Sequence, residues 1–206
     1  EISDKNIIVH KDYSIPKQSL KFRPLCLFIS YSGNTEETLS GISDAKKNNL
    51  DWVVISSGGK LIDIAQDEGK EYIKIPSGLQ PRAAFGYLTL AISRILDIVE
   101  GSDYVSQLKG ASSYLDKLTE KAVESDINKL SLNICESINK KTVIIYSGTD
   151  MSKVVSSRWK TQINENAKSK AFVGNLPEVH HNEILSWDAD IAGSKNNYIV
   201  ILIRDK

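Results

Sequence analysis

Short apolar runs rich in β-branched residues alternate with amphipathic stretches in the first part of the chain. Amphipathic stretches at Thr35–Asn48 and Lys60–Asp67 have apolar residues at helical spacing. The runs with strand composition are Asn6–His10, Leu25–Ser30, Trp52–Ser56 and Glu71–Ile75. This alternation predicts βαβ units, in which parallel strands form a sheet with helices on both faces.

The same alternation returns after a long helical stretch. A long apolar helix is predicted over Arg82–Val99, with Pro81 as its first residue and Gly101 at its end. A polar, strongly helical region follows from Val105 to Lys140. The second set of elements is a strand at Thr142–Tyr146, a helix at Met151–Asn164, a short strand at Ala171–Val173 and a strand at Tyr198–Ile203.

A short repeated word suggests that the two sets are related. The stretch Val143-Ile-Ile-Tyr-Ser-Gly148 repeats the ending of Leu27-Phe-Ile-Ser-Tyr-Ser-Gly33, although a chance match is possible for so short a word. We therefore predict an α/β protein with two related halves, each a parallel sheet with flanking helices. The predicted boundaries are 1–101 for the first half, 102–140 for a connecting helical region and 141–206 for a second half that looks incomplete.

Composition narrows the kind of ligand more than the kind of fold. The 206 residues include 26 basic and 26 acidic ones, so a balanced charge gives no basic face for nucleic acid or an anionic membrane. No apolar run approaches the roughly 20 residues that a membrane span requires. We expect a cytoplasmic protein with a small ligand. The chain opens at Glu1 instead of a methionine, which is typical of a trimmed or partial stretch.

The two cysteines, Cys26 and Cys135, lack metal-type spacing. We expect both to be buried small hydrophobic side chains in a reducing compartment, without a disulfide or a zinc site.

The segment after the second predicted strand has the features of an anion site. Ser30, Ser32 and Thr35 place three hydroxyls within six positions, and Gly33 permits a tight turn. Thr35 can cap the following helix, whose positive end and free N–H groups would hold a phosphate without a lysine. The simpler interpretation is a strand, a turn and a helix cap with no ligand. A Walker loop is excluded because the Gly-Lys-Ser/Thr ending is absent. Only this copy of the repeated word continues with Asn-Thr-Glu-Glu, so the first half is the candidate phosphate half.

The second half concentrates its candidate catalytic residues in Asn164-Glu-Asn-Ala-Lys168 and Pro177-Glu-Val-His-His-Asn-Glu183. The adjacent histidines lack the His-Glu-x-x-His spacing of a metal-binding helix, so we predict no metal. Acid/base chemistry by an imidazole and a carboxylate is the better interpretation. The simpler alternative is a solvated helix end for Glu165 and a surface loop for His180 and His181.

Five motifs in order over nearly the whole chain resemble the archaeal-type bifunctional phosphoglucose/phosphomannose isomerases, members of the sugar isomerase (SIS) domain family. They are Ser30-Tyr-Ser-Gly-Asn-Thr-Glu-Glu-Thr38, Ser56-Ser-Gly-Gly-Lys60, Pro81-Arg-Ala-Ala84, Asn164-Glu-Asn-Ala-Lys168 and Leu176-Pro-Glu-Val-His-His-Asn-Glu183. The resemblance implies two SIS-type, flavodoxin-like halves in a homodimer. It also implies interconversion of glucose 6-phosphate, and of mannose 6-phosphate, with fructose 6-phosphate in glycolysis or gluconeogenesis, without cofactor or metal.

The resemblance also assigns roles to individual residues. Ser30, Ser32 and Thr35 would hold the sugar phosphate. Glu165 would carry the proton between C1 and C2, His181 would assist ring opening, and Arg82 would face the enediolate.

The chain departs from the family pattern in two places, and two other functions remain open. Family members have a Gly-Met-Gly-Gly-Ser-Gly turn after the first strand and a C-terminal helical segment with a ring-opening lysine, and this chain contains neither. The first alternative is a non-catalytic sugar-phosphate-binding SIS regulator, against which stands the retained set of Glu165, His181 and Arg82. The second is isomerisation of an amidosugar phosphate.

Overall fold

The computed structural model describes residues 5–124, 126–189 and 196–205. They form two compact units, Glu1–Leu115 and Asp116–Lys206. Both units have α/β architecture with a parallel sheet, as the alternating pattern predicts. The helices are α1 (Lys17–Leu20), α2 (Glu36–Lys47), α3 (Lys60–Asp67), α4 (Phe85–Glu100), α5 (Tyr104–Glu124), α6 (Asp126–Ile138), α7 (Asp150–Asn166) and α8 (Glu183–Asp188). The strands are β1 (Cys26–Ile29), β2 (Trp52–Ser56), β3 (Tyr72–Lys74), β4 (Thr142–Ser147), β5 (Ala171–Asn175) and β6 (Tyr198–Ile203), and short 3₁₀ helices cover Pro81–Ala83 and Glu178–His181.

The first unit is a three-stranded sheet in the order β1-β2-β3, with apolar clusters on both faces. Alternate residues of β2 serve the two faces: Val54 packs with Ile42 of α2 and Leu61 of α3, whereas Ile55 packs with Ala91 of α4. This double coverage explains why β2 is apolar from Trp52 to Ile55. The parallel pairing of Ile29 with Ile55 places the ends of β1 and β2 beside each other.

The predicted strand at Asn6–His10 is wrong. These residues adopt no regular structure, and Ile7, Ile8 and Val9 are 55%, 57% and 77% exposed. β-Branched residues favour a strand mainly through packing on a half-buried pleated surface. Among the described residues no strand pairs with this segment, and its side chains are exposed, so the strand that its composition favours does not form.

The helix predicted from Arg82 begins later, at Phe85. Pro81 and Arg82 belong instead to a 3₁₀ turn, in which the Ala84 N–H donates to the Pro81 carbonyl at 3.2 Å. Ala84 has ψ near 5°, outside the α-helical region, so the helix restarts after it. At the other end, the predicted stop at Gly101 is confirmed by its left-handed φ of 70°.

The predicted helical region after Gly101 is confirmed as helical over its described residues, Tyr104–Glu124 (α5) and Asp126–Ile138 (α6). Asp97 of α4 fixes the start of α5, because its carboxylate accepts the N–H groups of Tyr104 at 2.7 Å and Val105 at 3.1 Å and the Ser102 hydroxyl at 3.0 Å. Desolvation opposes the Asp97 charge, but the three hydrogen bonds and Arg94 outweigh it, so the pKa of Asp97 is lowered.

We expect Asp97→Ala to lower the melting temperature at neutral pH. A carboxyl whose pKa is depressed by folding stabilises the fold above its unfolded pKa of about 3.9 and loses that effect as the pH falls through its folded pKa. The difference in melting temperature between the two proteins should therefore shrink below about pH 4, as measured by circular dichroism. A difference that is the same at pH 7 and in strong acid would contradict this role.

The second unit has the strand order β5-β4-β6, again parallel throughout. Val143 and Ile145 of β4 and Ala171 of β5 form its buried core, against which Ile163 of α7 and Ile199 of β6 pack. The predicted strands are confirmed, and the predicted helix at Met151–Asn164 is confirmed as α7. Sequence reasoning missed α1, α8 and the 3₁₀ turn Glu178–His181.

The prediction that both cysteines are buried is wrong for Cys135, which is exposed on α6. Cys26 is half-buried in β1, where desolvation raises its pKa. Among the residues that the structure describes, no helix is long and apolar enough to cross a membrane.

Candidate functional site

The three predicted phosphate-binding hydroxyls meet at the end of β1. Ser30 is 7% exposed, and its Oγ shares a hydrogen bond of 2.6 Å with Thr35 Oγ1 and a longer one of 3.5 Å with Ser32 Oγ. The Gly33 N–H also donates to Ser30 Oγ, at 3.2 Å. Ser30 therefore lies at the centre of a row of hydroxyls, while Ser32 and Thr35 are exposed to solvent.

Thr35 occupies the N-cap position of α2, but it does not cap the helix with its side chain. The predicted capping hydrogen bond is thus wrong, because the Thr35 hydroxyl is turned toward Ser30. The N–H groups of the first turn of α2 consequently donate no hydrogen bond to the N-cap side chain. Such N–H groups, at the positive end of a helix dipole, favour an anion.

A second loop, between β2 and α3, completes the surroundings of the hydroxyl row. Asn34 joins the two loops, since its Nδ2 donates to the Ser32 carbonyl at 3.2 Å and its Oδ1 accepts the Lys60 N–H at 3.2 Å. The Leu61 N–H donates to the Gly33 carbonyl at 3.0 Å. The N-terminal ends of α2 and α3 therefore lie close together in the first unit.

Two glycines permit this close approach. Gly33 has φ of +70°, and a Cβ on it would lie 1.8 Å from the Gly58 carbonyl oxygen. Gly59 has φ of +73°, and a Cβ on it would lie 2.4 Å from the Ser32 carbonyl oxygen. At both positions the backbone is left-handed, and a neighbouring backbone oxygen leaves no room for a side chain. The motif Ser56-Ser-Gly-Gly-Lys60 is the sequence signal for this second loop, although the residues alone gave it no role.

Arg82 lies in the same unit, half-buried on the 3₁₀ turn Pro81–Ala83. The loop before it is held by Tyr31, whose hydroxyl accepts the Leu79 N–H at 2.8 Å and donates to the Pro76 carbonyl at 3.2 Å. Tyr31 stands inside the phosphate-loop motif, yet sequence reasoning gave it no role. Its hydrogen bonds link the hydroxyl row to the segment that carries the predicted arginine.

In the second unit, Glu165 is exposed near the C-terminal end of α7. It lines an open depression of about 470 Å³ together with Lys160, Thr161, Asn164 and residues 171–173 of β5. The polar lining residues of this depression come from α7, and the apolar ones, Ala171, Phe172 and Val173, from β5. Glu165 is therefore accessible to a ligand from solvent.

His180 and His181 are exposed at the end of the 3₁₀ turn Glu178–His181, next to the buried Val179. Asn182 follows them and caps α8, because its Oδ1 accepts the Glu183 N–H at 2.6 Å. The two histidines thus lie on an ordered turn, not in the irregular surface loop of the simpler interpretation. Within the described residues, no three His, Cys, Asp or Glu side chains form a group that could hold a metal ion.

The second copy of the Tyr-Ser-Gly word forms a different kind of loop. Thr149 caps α7 in a reciprocal capping box with Ser152, and its hydroxyl also donates to the Asp205 carboxylate. Ser147 is fully buried and bonds to Ser156 at 3.0 Å. One N–H of the first turn of α7, that of Ser152, thus donates to the Thr149 side chain, and the Asp205 carboxylate lies beside it, in contrast to the first turn of α2.

Comparison with known proteins identifies the class. Residues 127–206 match the family described as Bacterial phospho-glucose isomerase C-terminal SIS domain. The backbone resembles a crystal structure of a hypothetical protein from Thermus thermophilus, with a TM-score of 0.62 and 20% identity over 93% of this chain and 51% of that one. At that identity the structural likeness shows the fold alone.

Relatives of known name are closer in sequence. The bifunctional phosphoglucose/phosphomannose isomerase of Caldicellulosiruptor bescii is 37% identical over 89% of this chain and 55% of its own length, and that of Aquifex aeolicus is 34% identical over 98% and 59%. A D-glucosamine-6-phosphate 4-epimerase from Sulfolobus acidocaldarius is 33% identical over 95% of this chain and 60% of its own length. The resemblance inferred from the motifs is confirmed: the chain is a relative of the bifunctional phosphoglucose/phosphomannose isomerases, and it spans somewhat more than half of their length.

Proposed function

We propose that this chain belongs to an aldose–ketose isomerase that interconverts glucose 6-phosphate, and also mannose 6-phosphate, with fructose 6-phosphate. The observation that carries the proposal is the hydroxyl row of Ser30, Ser32 and Thr35 at the start of α2. It supplies neutral hydrogen-bond donors where an anionic ligand is favoured.

Phosphate binding follows from the chemistry of this row. Each hydroxyl has one proton, and the hydrogen bond of 2.6 Å between Ser30 and Thr35 uses the proton of only one of the two. A phosphate oxygen can accept the proton that faces outward, together with N–H groups from the first turn of α2. The start of α3, held against the same loop by Asn34, adds a second positive helix end.

In the proposed reaction, Glu165 moves one proton between adjacent carbons of the open-chain sugar. Its carboxylate takes the proton from C2 of the aldose, the C2–H electron pair forms the C1=C2 double bond, and the C1=O π electrons move to O1, which gives a cis-enediolate. A proton then passes from the C2 hydroxyl to O1, the protonated carboxyl returns its proton to C1, and the C2–O2 double bond of the ketose forms. A single accessible carboxylate suffices for both steps, acting first as base and then as acid.

The other two proposed roles match the chemistry of their side chains. His181 assists ring opening, a proton transfer suited to an imidazole near neutral pH. Arg82 stabilises the enediolate oxygens, because a guanidinium keeps its positive charge throughout. The proposed reaction needs neither metal nor cofactor.

The proposed architecture is that of two SIS-type halves, with 1–101 as the phosphate half, 102–140 as the connecting region and 141–206 as part of the second half. The same strand-Tyr-Ser-Gly-helix arrangement in both units supports it. The proposed assembly is a homodimer, by the resemblance to the isomerases.

An amino-sugar phosphate is the second candidate substrate, because one relative is named as a D-glucosamine-6-phosphate 4-epimerase. That substrate carries the same 6-phosphate, so the hydroxyl row would serve it equally well. A non-catalytic sugar-phosphate regulator receives no support from the names of these relatives.

Alanine at Ser32 or Thr35 should weaken the binding of fructose 6-phosphate and leave the weak binding of fructose unchanged. A hydrogen bond to a charged group is worth about 1.5–3 kcal/mol, so each substitution should raise the dissociation constant about 10- to 150-fold. Isothermal titration calorimetry measures both ligands. Ser43→Ala, an exposed serine on the same helix, is the matched control. Equal loss for the two sugars would show that the hydroxyls are structural.

A further inference from the structure

Each of the two units contains one tyrosine of the repeated Tyr-Ser-Gly word. We propose that its tyrosine is a positioning residue in both: Tyr31 fixes the segment that carries Arg82, and Tyr146 fixes the turn that carries His181. The proposal rests on the proposed function only for the roles of Arg82 and His181, since the tethers themselves are geometric.

In the first unit, Tyr31 tethers the connection between β3 and the 3₁₀ turn. Its ring packs with the apolar cluster around Ile55 and Ile75, and this packing fixes the position of the hydroxyl. The hydroxyl bonds both the Leu79 N–H and the Pro76 carbonyl, at opposite ends of an otherwise exposed loop. Arg82 follows three residues after Leu79, so this tether sets where its backbone emerges.

In the second unit, Tyr146 performs the same task with different partners. Its hydroxyl accepts the Trp187 Nε1–H at 3.0 Å and donates to Glu183 Oε2 at 3.3 Å. Both partners belong to α8, which starts two residues after His181. Trp187 is further supported by the ring of Tyr198, at a centroid distance of 5.5 Å and an edge-on angle of 83°.

The other side of the histidine turn is anchored on the same ring. A Cβ on Gly174 would lie 2.6 Å from Tyr146 Cε1 and 2.7 Å from Val179 Cγ1, so the tyrosine ring and Val179 both pack directly on this glycine. Val179 is 4% exposed. His181 is therefore held between Val179, which packs on Gly174, and Glu183, which is bonded by the Tyr146 hydroxyl.

The protonation state of the Tyr146 hydroxyl supports this arrangement. Partial burial and the Glu183 charge raise the pKa of Tyr146, against the opposing effect of the Trp187 hydrogen bond. The phenol stays protonated at neutral pH and can donate to Glu183. The two units thus use one residue of the shared word to hold two unrelated segments.

The test in the second unit is the NMR signal of the His181 Cε1 proton in the full chain. Tyr146→Phe should change the chemical shift of this proton, while that of His10 in the first unit stays unchanged. His180, Glu178 and Glu183 are the other charged groups of the turn, so the spectra are compared at one fixed pH and include the His180 Cε1 proton. Tyr198→Phe is the matched control, because it alters the same aromatic cluster without touching the Tyr146 hydroxyl.

Trp187→Phe keeps the test decisive if Tyr146→Phe does not fold, since it removes one partner of the hydroxyl and should change His181 in the same way to a smaller extent. An unchanged His181 Cε1 chemical shift in both variants, or an equal change in Tyr198→Phe, would overturn the proposal for this unit.

In the first unit, Tyr31→Phe should speed hydrogen exchange of the Leu79 amide and change the Arg82 Nε–H resonance. Tyr72→Phe is the matched control, because the Tyr72 hydroxyl accepts a hydrogen bond from Gln66 Nε2 on α3. Unchanged Leu79 exchange, or an Arg82 signal that responds equally to both variants, would overturn the proposal here.

Turnover separates this inference from the proposed function. If fructose 6-phosphate is isomerised, Tyr31→Phe and Tyr146→Phe should each lower kcat about tenfold or more with little change in KM, since misplacement of a group costs rate. Absence of turnover in the unsubstituted chain would contradict the proposed function, while the NMR and exchange measurements would still decide the tethers.

Discussion

Glu165→Gln should leave the binding of fructose 6-phosphate intact and reduce its isomerisation by about 10²- to 10⁴-fold, the contribution of a positioned general base. Glutamine keeps the size and hydrogen-bonding capacity of glutamate but cannot accept a proton from carbon. Glu165 is exposed at the rim of an open depression, so the substitution should not disturb packing. One carboxylate serves both sugars in the proposed mechanism, so formation of glucose 6-phosphate and of mannose 6-phosphate should fall together.

The measurement is a coupled assay for each product beside calorimetric binding. Glu136→Gln, an exposed glutamate on α6 of the same unit, is the control and should retain full activity. In deuterated water the unsubstituted chain should place label on the carbon that receives the proton. Unchanged turnover in Glu165→Gln, or loss of only one of the two activities, would show that a different base does the work.

Gly33→Ala should cost more stability than any other alanine substitution proposed for this loop. A left-handed backbone costs a residue with a side chain about 1–2 kcal/mol. The added Cβ would also lie 1.8 Å from the Gly58 carbonyl oxygen, so the β1–α2 and β2–α3 loops would have to separate. Losses above about 4 kcal/mol are exceptional for single substitutions, and we expect Gly33→Ala to approach that size.

Gly69→Ala isolates the backbone contribution. Gly69 has φ of +61°, close to that of Gly33, but a Cβ there meets no atom within 4 Å. Urea unfolding should therefore show a small loss for Gly69→Ala, of about 1–2 kcal/mol, and a much larger one for Gly33→Ala. Fructose 6-phosphate binding should survive only in Gly69→Ala. Equal losses in the two variants would show that the contact with Gly58 is easily relieved.

Local sequence patterns correctly predict the elements whose apolar residues recur at a clear spacing and that pack against a neighbouring element. The strands β1, β2 and β4 and the helix α3 lie where their apolar spacing placed them, within a residue or so at the ends. The segment Asn6–His10 has the same composition as those strands, but no strand among the described residues pairs with it, and composition alone does not show whether a strand has a neighbour.

The candidate site shows the same limit at the level of single hydroxyls. Sequence reasoning brought Ser30, Ser32 and Thr35 together, because they lie within six positions after one strand. It wrongly predicted that the Thr35 hydroxyl caps the helix. The side-chain rotamer of Thr35 decides whether its hydroxyl bonds a backbone N–H or a neighbouring serine, and sequence spacing does not predict that rotamer. Sequence reasoning also missed Tyr31 and Tyr146, whose hydroxyl partners lie 37 to 48 residues away along the chain. Such contacts become visible only once the chain is folded.

We propose that a chain with this hydroxyl row and Glu165 isomerises phosphorylated hexoses. The most direct measurement is ³¹P and ¹³C NMR of fructose 6-phosphate incubated with the purified protein. Resonances of glucose 6-phosphate and mannose 6-phosphate should grow with time, and they should be absent with Glu165→Gln. Binding of fructose 6-phosphate with no product, under conditions in which the protein is folded, would contradict the proposed isomerisation and would favour a non-catalytic sugar-phosphate-binding protein.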